Sequence, residues 1–566
     1  MTEATEARTA TAPTSDASEE LRGGTVIARA LRRQGVDTVF GVVGFPIYGI
    51  ARAVQKEGMR YVGFRNEQAA SYAAGAVGYL TGRPGVCLTV SGPGMVHAVA
   101  GLANAWANCW PMLLIGGAND GFQNGLGAFQ EAPQIEAARP FVKYAARPDS
   151  LERIPFYVEQ AIRSSLYGRP GAVYLDLPND LISGAAPANA VEWSPRCPEP
   201  PRPHADPAEV ERALDLLRRA ERPLIVVGKG AAYSRAEAEV RALVERSRIP
   251  FLPTPMGKGV LRDDHELSAA PARSFALQNA DVVLLIGARL NWMLHFGRPP
   301  RFAEGVRTIQ IDIAGEEMGN GVPADVALVG DAKAVARQLD AALEAEPWSH
   351  PVDSAWRRAL RERSEHNLAA VQAMLDDDAE TLGYYRALRE IRDRLSEDTV
   401  VVAEGANTMD ISRTVLPNFH PRHRLDAGSF GTMGVGCGFA IAAAVVHDDR
   451  KVVAVQGDSA FGFSGMEVEV ACRHRLPITF IVLNNNGIQT GVHELDEIPQ
   501  PWAYTVGARY ELIAEAFGGR GFRVESLSGL GPALDQALAG DGVSVVNVMI
   551  DPDARRKPQE FGWLTR

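Results

Sequence analysis

Two short polar turns carry the residue types of a hard-cation site. Gly457-Asp458-Ser459 ends the apolar run 452–455, and Asn484-Asn485-Asn486-Gly487 ends the apolar run 478–483. Read as neighbouring buried strands of a parallel sheet, the two runs finish at one edge, where such sheets bind ligands. The Asp458 carboxylate, the Asn485 amide oxygen and the Gly487 carbonyl are hard oxygen donors. Mg²⁺ takes few protein ligands of this kind and completes its octahedron with diphosphate oxygens. Gly457 and Ser459 let backbone N–H groups approach those oxygens, and the start of the following helix favours an anion. A plain strand–turn–helix would explain the first turn alone. Both turns at this spacing, each after a β run, argue for the site.

Further candidates lie along the chain. Glu67 opens an Ala-rich stretch, 69–79, apolar almost all round and so a buried helix. It is either a carboxylate favoured by the helix dipole or a site residue. Ser91, in Ser-Gly-Pro-Gly after a β run, suits close packing against a ligand. His97 reads as a satisfied core histidine or as an active-site group. Gln130 belongs to the loop 119–133, and Asn407 follows the β run 399–403. A second glycine cluster, 428–436, holds Gly431, Thr432 and Met433 and permits tight backbone approach; Met433 alone would pass for a core methionine. Ile488 follows the metal turn directly. His493 and Glu494, beyond it, are acid–base candidates or part of a solvated loop. Lys229, Lys258, Arg289 and Arg301, with Asp312 after a later strand, are ingredients of a nucleotide pocket, although each cation is also an ordinary surface charge. Arg413 joins this set. Arg555, Arg556 and Lys557 begin a basic, aromatic end that is a frayed terminus or a lid over an anionic ligand.

The elements that must position these residues read as α/β throughout, in three doubly wound parallel-sheet domains. A length of 566 residues fits three or four domains. The expected division is a disordered tail at 1–20, a first domain at 21–186, a proline-rich linker at 187–207, and a second domain at 208–350. A helical linker at 351–380, a third domain at 381–553 and a C-terminal lid at 554–566 complete it. Seven prolines between residues 185 and 207 mark the first linker. A net charge of −11 argues against a general nucleic-acid or anionic-membrane binder. No apolar run reaches membrane-spanning length. Five cysteines without a CxxC pair suit a reducing cytoplasm.

The paired turns resemble the GDG…NN motif of thiamine diphosphate (ThDP) enzymes, with Ser459 in place of the second glycine. Longer stretches narrow the likeness: RNEQAASYAAGAVGYLTGRPGVCLTVSGPG, GAFQEAPQ, IGARLNWMLHFGRPPRF, EGANTMDISRTVLPNFHPRHRLDAGSFGTMGVG, GDSAFGFSGMEVE and the closing QEFGWLTR. Over about residues 22–566 the chain resembles the 2-hydroxyacyl-CoA lyases of that superfamily.

The resemblance implies pyrimidine-binding, central and diphosphate-binding domains, and active sites shared between subunits of a homo-oligomer, usually a dimer of dimers. It implies Mg²⁺ on Asp458, Asn485 and the Gly487 carbonyl. Glu67 would meet the aminopyrimidine of the cofactor held by a partner subunit, and Gly431 would accept from its amino group. Met433 would wedge between the cofactor rings. Ser91, Asn407, Thr432, Gly457, Ser459 and Ile488 would complete the cofactor site. Gln130 would orient the substrate thioester, with His97 or Glu494 near the moving protons. The implied reaction splits a 2-hydroxyacyl-CoA into formyl-CoA and an aldehyde or ketone, reversibly.

Two departures matter. Phe129-Gln130 stands where oxalyl-CoA decarboxylases carry Tyr-Glu, which favours a lyase. The segment 488–494, IQTGVHE, lacks the aromatic pattern usual in lyases, which points to a branched 2-hydroxyacyl group. The rivals are an oxalyl-CoA decarboxylase, with ADP as a regulator in the central domain, an acetolactate-synthase-like flavoprotein, and a non-catalytic CoA- or nucleotide-binding regulator.

Overall fold

The computed structural model describes residues 19–557. The expected N-terminal tail lies outside the described residues up to position 18. Glu20 already belongs to a strand, Glu20–Arg22, paired antiparallel with Ala185–Pro187. The tail expectation therefore ends too late, because this short ribbon uses Glu20. The last nine residues, 558–566, also lie outside the described part.

Three parallel sheets organise the chain. The first contains β1 (Thr38–Gly41), β2 (Arg60–Gly63), β3 (Gly85–Thr89), β4 (Met112–Ala118), β5 (Ala145–Ala146) and β6 (Ala172–Pro178), in the order β2-β1-β3-β4-β6-β5. The second contains β7 (Pro223–Val227), β8 (Phe251–Pro253), β9 (Val282–Ile286), β10 (Arg307–Asp312) and β11 (Val326–Val329), in the order β8-β7-β9-β10-β11. The third contains β12 (Val400–Glu404), β13 (Arg424–Asp426), β14 (Val452–Gly457), β15 (Ile478–Asn484), β16 (Arg520–Val524) and β17 (Ser544–Met549), in the order β13-β12-β14-β15-β17-β16. The first and third sheets thus share one strand order. Its direction reverses beside the first strand, and the crevice at such a reversal is where α/β sheets hold ligands.

The strands are short β-branched runs, buried on both faces, as parallel sheets covered by helices require. Of the helices, α1 (Glu67–Thr81) is bounded by local signals. The Asn66 side chain accepts from the Gln68 N–H, and Gly82 ends the helix in the left-handed region at φ +75°. Helix α2 (Pro93–Asn108) follows β3 directly, and α3 (Ala355–Leu375) lies between the second and third sheets. In the third domain α4 (Ala406–Val415) follows β12. Helix α5 (Gly436–Val446) follows the second glycine cluster, and α6 (Asp458–Ser464) begins at the end of β14.

Small residues bring the first and third domains together. A Cβ on Gly438 of α5 would stand 2.7 Å from the Ala69 carbonyl oxygen of α1. The Arg65 N–H donates to Glu467 at 3.1 Å across the same junction. One continuous apolar core runs through all three domains here, including Tyr72, Trp110 and Phe439. Replacing Gly438 with valine is expected to cost about 1–3 kcal/mol by overpacking. The check is a lowered thermal midpoint in calorimetry, with far-UV circular dichroism retained at 20 °C-scale working temperatures.

Candidate active site

Register places the two metal turns side by side. Gly457 of β14 pairs with Leu483 of β15, so Asp458 and Asn485 leave the sheet at the same edge. Both side chains are 2% exposed. The Asp458 carboxylate accepts from the Ser459 N–H at 2.8 Å and from the Gly487 N–H at 3.0 Å. The Asn485 amide oxygen accepts from that same Gly487 N–H at 3.3 Å, which sets the two side-chain oxygens next to each other. The flanking asparagines are used otherwise. Asn484 accepts from the Asn486 N–H and donates to Asn547, while Asn486 accepts from the Gly507 N–H and donates to the Val492 carbonyl. Asn486 itself is left-handed, φ +66°, a conformation asparagine tolerates. Burial pushes the Asp458 carboxyl up to about 7, against the N–H donors that pull it down. A buried carboxylate beside an amide oxygen, with no cation paired to it among the described residues, fits a hard divalent ion.

The glycine cluster is shaped by a residue that sequence reasoning missed. Glu404, wholly buried at the end of β12, accepts from the N–H groups of Gly434, Val435 (3.1 Å) and Gly436 (2.7 Å) and from Gln456 (2.9 Å). Burial pushes its carboxyl up to about 7 despite these donors. Glu404 thereby caps α5 and folds the 431–434 segment outward. Its signal in the sequence was an acid ending an otherwise apolar strand. Gly431, Thr432, Met433 and Asn407 line a cavity of about 1750 Å³ that extends between the second and third domains. Asn407 also donates to the Gln489 carbonyl at 3.1 Å, beside the metal turn. Ser459 meets the Tyr504 hydroxyl at 3.1 Å, and the Ile488 N–H donates to the Trp502 carbonyl at 2.9 Å.

The same cavity collects cations. Lys258, Arg413, Arg555, Arg556 and Lys557 line it, as do Arg273, Arg301, Arg363 and Arg392, against Asp263, Asp264 and Asp410. Lys258 pairs with Asp263 at 2.9 Å, Arg413 with Asp410 at 2.8 Å and with Asp426, and Arg556 with Asp410. His295, also in the wall, has a left-handed backbone, and burial beside Arg301 and Arg273 pushes its imidazole down to about 4. Arg273, Arg363, Arg392 and His295 escaped sequence reasoning because isolated cations on helices and loops look like solvated charges. Three residues expected in a nucleotide pocket do not line the cavity. Lys229 donates to Asn108 at 2.6 Å, Arg289 donates to the Ala107 carbonyl at 2.6 Å, and Asp312 pairs with Arg169 at 3.0 Å.

A second cluster forms at the reversal point of the first sheet. Glu67 meets His97 Nδ1 at 3.2 Å, and a Cβ on Gly94 would stand 3.0 Å from its Oε1. Ser91 donates to Gln130 at 3.2 Å. The buried Gln134 holds this turn by accepting from the Gly92 N–H at 2.6 Å and donating to Asp176 at 2.6 Å. Glu131 accepts from Gly125, Gly127 and Ala128, which builds the loop that presents Phe129 and Gln130. Beside it Phe122 (78% exposed), Leu126 (77%) and Phe129 (68%) form an open apolar surface. Within one chain no hydrogen bond among the described residues joins this cluster to Asp458 and Asn485. Glu494 is exposed on the loop after the metal turn and lines neither cavity, whereas His493 pairs with Asp553 at 3.0 Å.

Comparison with known proteins agrees with this layout. Residues 21–137 match the family described as thiamine pyrophosphate enzyme, N-terminal TPP binding domain. Residues 210–339 match its central domain and residues 404–548 its C-terminal TPP binding domain. The chain belongs to the thiamine pyrophosphate enzyme family, and its relatives there are 2-hydroxyacyl-CoA lyases and oxalyl-CoA decarboxylases. It is 50% identical to 2-hydroxyacyl-CoA lyase 1 of Homo sapiens, over 97% of this chain and 98% of that one. It is 45% identical to 2-hydroxyacyl-CoA lyase of Oryza sativa subsp. japonica, over 96% and 98% of the two chains. It is 42% identical to oxalyl-CoA decarboxylase of Escherichia coli (strain K12), over 98% of each.

Glu404→Gln is expected to weaken this site through the loop it caps. The glutamine would face a ring of N–H donors with a donor of its own, a loss of about 1–3 kcal/mol. Calorimetry should show a lower thermal midpoint and weaker ThDP binding together.

Proposed function

We propose that this chain cleaves the C1–C2 bond of a 2-hydroxyacyl-CoA, giving formyl-CoA and an aldehyde or ketone, and runs the reverse condensation through the same site. The observation that carries this reading is a metal turn and a large cationic cavity bordered by one glycine loop. A CoA thioester is long and bears several phosphates, and the row of arginines and lysines between the second and third domains suits it. Bound ThDP supplies the electron sink for C–C cleavage.

The chain's own residues do the rest. Asp458, Asn485 and the Gly487 carbonyl would hold Mg²⁺ and, through it, the diphosphate. Met433 would press on the cofactor from the cavity side. The Glu67 carboxyl would meet the aminopyrimidine of a cofactor held by a second copy, and His97, sharing a hydrogen bond with it, would pass protons at that edge. Gln130, held by Ser91, would orient the thioester oxygen. The apolar surface of Phe122, Leu126 and Phe129 would then be covered in a homo-oligomer, with a dimer of dimers as the expected form. All five cysteines are free, which suits a reducing compartment. An ADP site in the central domain would have to recruit Lys229, Arg289 and Asp312 from their present protein partners. The altered segment 488–494 supports a branched acyl group.

Three measurements test this. With Mg²⁺ and ThDP, the protein should release formyl-CoA from straight-chain or branched 2-hydroxyacyl-CoA, 2-hydroxyisobutyryl-CoA included. Carbon dioxide from oxalyl-CoA and no formyl-CoA would replace the lyase reading with the decarboxylase one. Glu67→Gln should lower turnover by about 100-fold or more while ThDP still binds, whereas Asp458→Ala should lose ThDP affinity by about 100-fold. Arg555→Ala should raise KM for the thioester about two- to fivefold with kcat kept.

A further inference from the structure

A line of hydrogen-bonded side chains runs from the second domain to the glycine loop. Lys229 Nζ lies 2.6 Å from Asn108 Oδ1, Asn108 Nδ2 lies 3.3 Å from Asn104 Oδ1, and Asn104 Nδ2 lies 3.0 Å from Thr432 Oγ1. Asn104 and Asn108 sit one turn apart on α2 and are almost wholly buried. Their orientation is forced. An ammonium only donates, so Asn108 turns its oxygen to Lys229. The Ser429 N–H donates to the same oxygen at 3.1 Å, which demands the same orientation independently. The Asn108 amide nitrogen must then face Asn104, Asn104 must answer with its oxygen, and its own nitrogen is left for Thr432. Every bond points the same way, outward from a cation, and such chains strengthen one another.

The consequence falls on the last member. Thr432 receives a hydrogen bond from Asn104 and stands in the cavity wall next to Met433. Its lone pair is engaged on the protein side, so its proton is free to point into the cavity.

We infer that Thr432 is a polarised hydrogen-bond donor to an acceptor atom of the ligand bound beside Met433, and that Lys229, Asn108 and Asn104 are its positioning residues. The inference rests on the ThDP- and CoA-binding reading of this cavity and deepens it. The acceptor belongs either to the cofactor or to the acyl thioester. Gly428 is part of the device: it is left-handed, φ +64°, and a Cβ there would fall 2.2 Å from Asn108 Oδ1. The chain also brings the central domain to bear on the glycine loop, since Arg289 donates to Ser429 at 3.1 Å beside it. The groups around Lys229 are Arg289, Asp426, Cys109 and the Trp110 ring. Burial, with Arg289 adding to it, pushes the ammonium down to about 7. The donor chain is therefore strongest below that pH and weakens as pH rises through it.

The decisive variant is Asn104→Asp, nearly the same shape but an acceptor where the wild type donates. The Thr432 proton would turn back to it and leave the cavity. Thr432→Val removes the donor, and Thr432→Ser keeps it. The readings are kcat and KM in the ThDP- and Mg²⁺-loaded enzyme, and two affinities by calorimetry: ThDP itself and a non-hydrolysable CoA thioether.

Asn104→Asp and Thr432→Val should each lose about tenfold in the same quantity. ThDP affinity marks the cofactor as acceptor; kcat or thioether affinity marks the substrate. Thr432→Ser should stay within about twofold. The double variant should be no worse than its worse single, because both act on one proton. Lys229→Met should show a smaller loss in the same direction and lose the step near pH 7, with Lys229→Arg restoring binding.

Wild-type values in Asn104→Asp while Thr432→Val is impaired, or losses that multiply in the double variant, would overturn the inference. Wild-type values in both singles would do the same. If Asn104→Asp lowers the thermal midpoint, Asn104→Ala takes its place and must show the same non-additivity with Thr432→Val. A protein that binds ThDP but cleaves no 2-hydroxyacyl-CoA would fail the lyase reading alone, and the affinities would still decide this one.

Discussion

A buried carboxylate that no lysine or arginine among the described residues neutralises is the constraint from which the site follows. Asp458 sits at the mouth of β14 with backbone N–H groups as its hydrogen-bond partners. Leaving such a charge unpaired in a protein interior is costly, and two ordinary remedies exist: protonation or a cation. The surroundings suit the second, because Asn485 places an amide oxygen against the same Gly487 N–H and adds acceptor density. Neighbouring groups are arranged so as not to interfere. Asn484 and Asn486 are consumed by the loop, which leaves Asn485 as the asparagine facing Asp458. The triple asparagine is thus one residue turned to Asp458 and flanked by two braces.

A second buried acid, Glu404, works by the opposite logic. It is satisfied by N–H donors at the start of α5 together with the Gln456 side-chain amide on β14, and needs no ion. The helix N-terminus is filled by the protein's own carboxylate, which directs the preceding glycines outward into the cavity. Two acids thus end adjacent strands, β12 and β14, on either side of the strand-order reversal. One closes a helix and the other stands beside an amide oxygen. The difference lies in the donors around each, not in the residue type.

Much of this was readable in the chain. The β runs ending in Asp458 and Asn485 were legible because strand periodicity and turn chemistry are local, and the structure places both where that reading expects. The three α/β units were legible for the same reason. What stayed hidden was long-range. Glu404 is one acid among many until the backbone of 434–436 is folded onto it, and Gln134 is anonymous until Gly92 lies above it. Lys229 and Arg289 look like phosphate ligands from their Gly-rich strand ends, yet in the fold those ends abut α2 and the glycine loop. Their positions at the sheet edge were read correctly and their partners were not, because domain packing decides the partners. Glu494 lay only a few residues past the metal turn, but the loop carries it outward to solvent.

Repetition of one strand order in the first and third sheets gives the remaining step. Each sheet has its reversal point, and each point gathers polar residues: Ser91, Gln130 and Glu67 with His97 at one, Asp458, Asn485 and Glu404 at the other. The two sets share no hydrogen bond within the chain among the described residues, although α1 and α5 pack tightly against each other. The packing of α1 on α5 buries residues of the first and third domains against each other. The exposed apolar loop beside Gln130 leaves Phe122, Leu126 and Phe129 open to solvent next to the first of these sets. One strand order, used twice, thus ends in an acid–imidazole pair in the first sheet and in an acid–amide pair in the third.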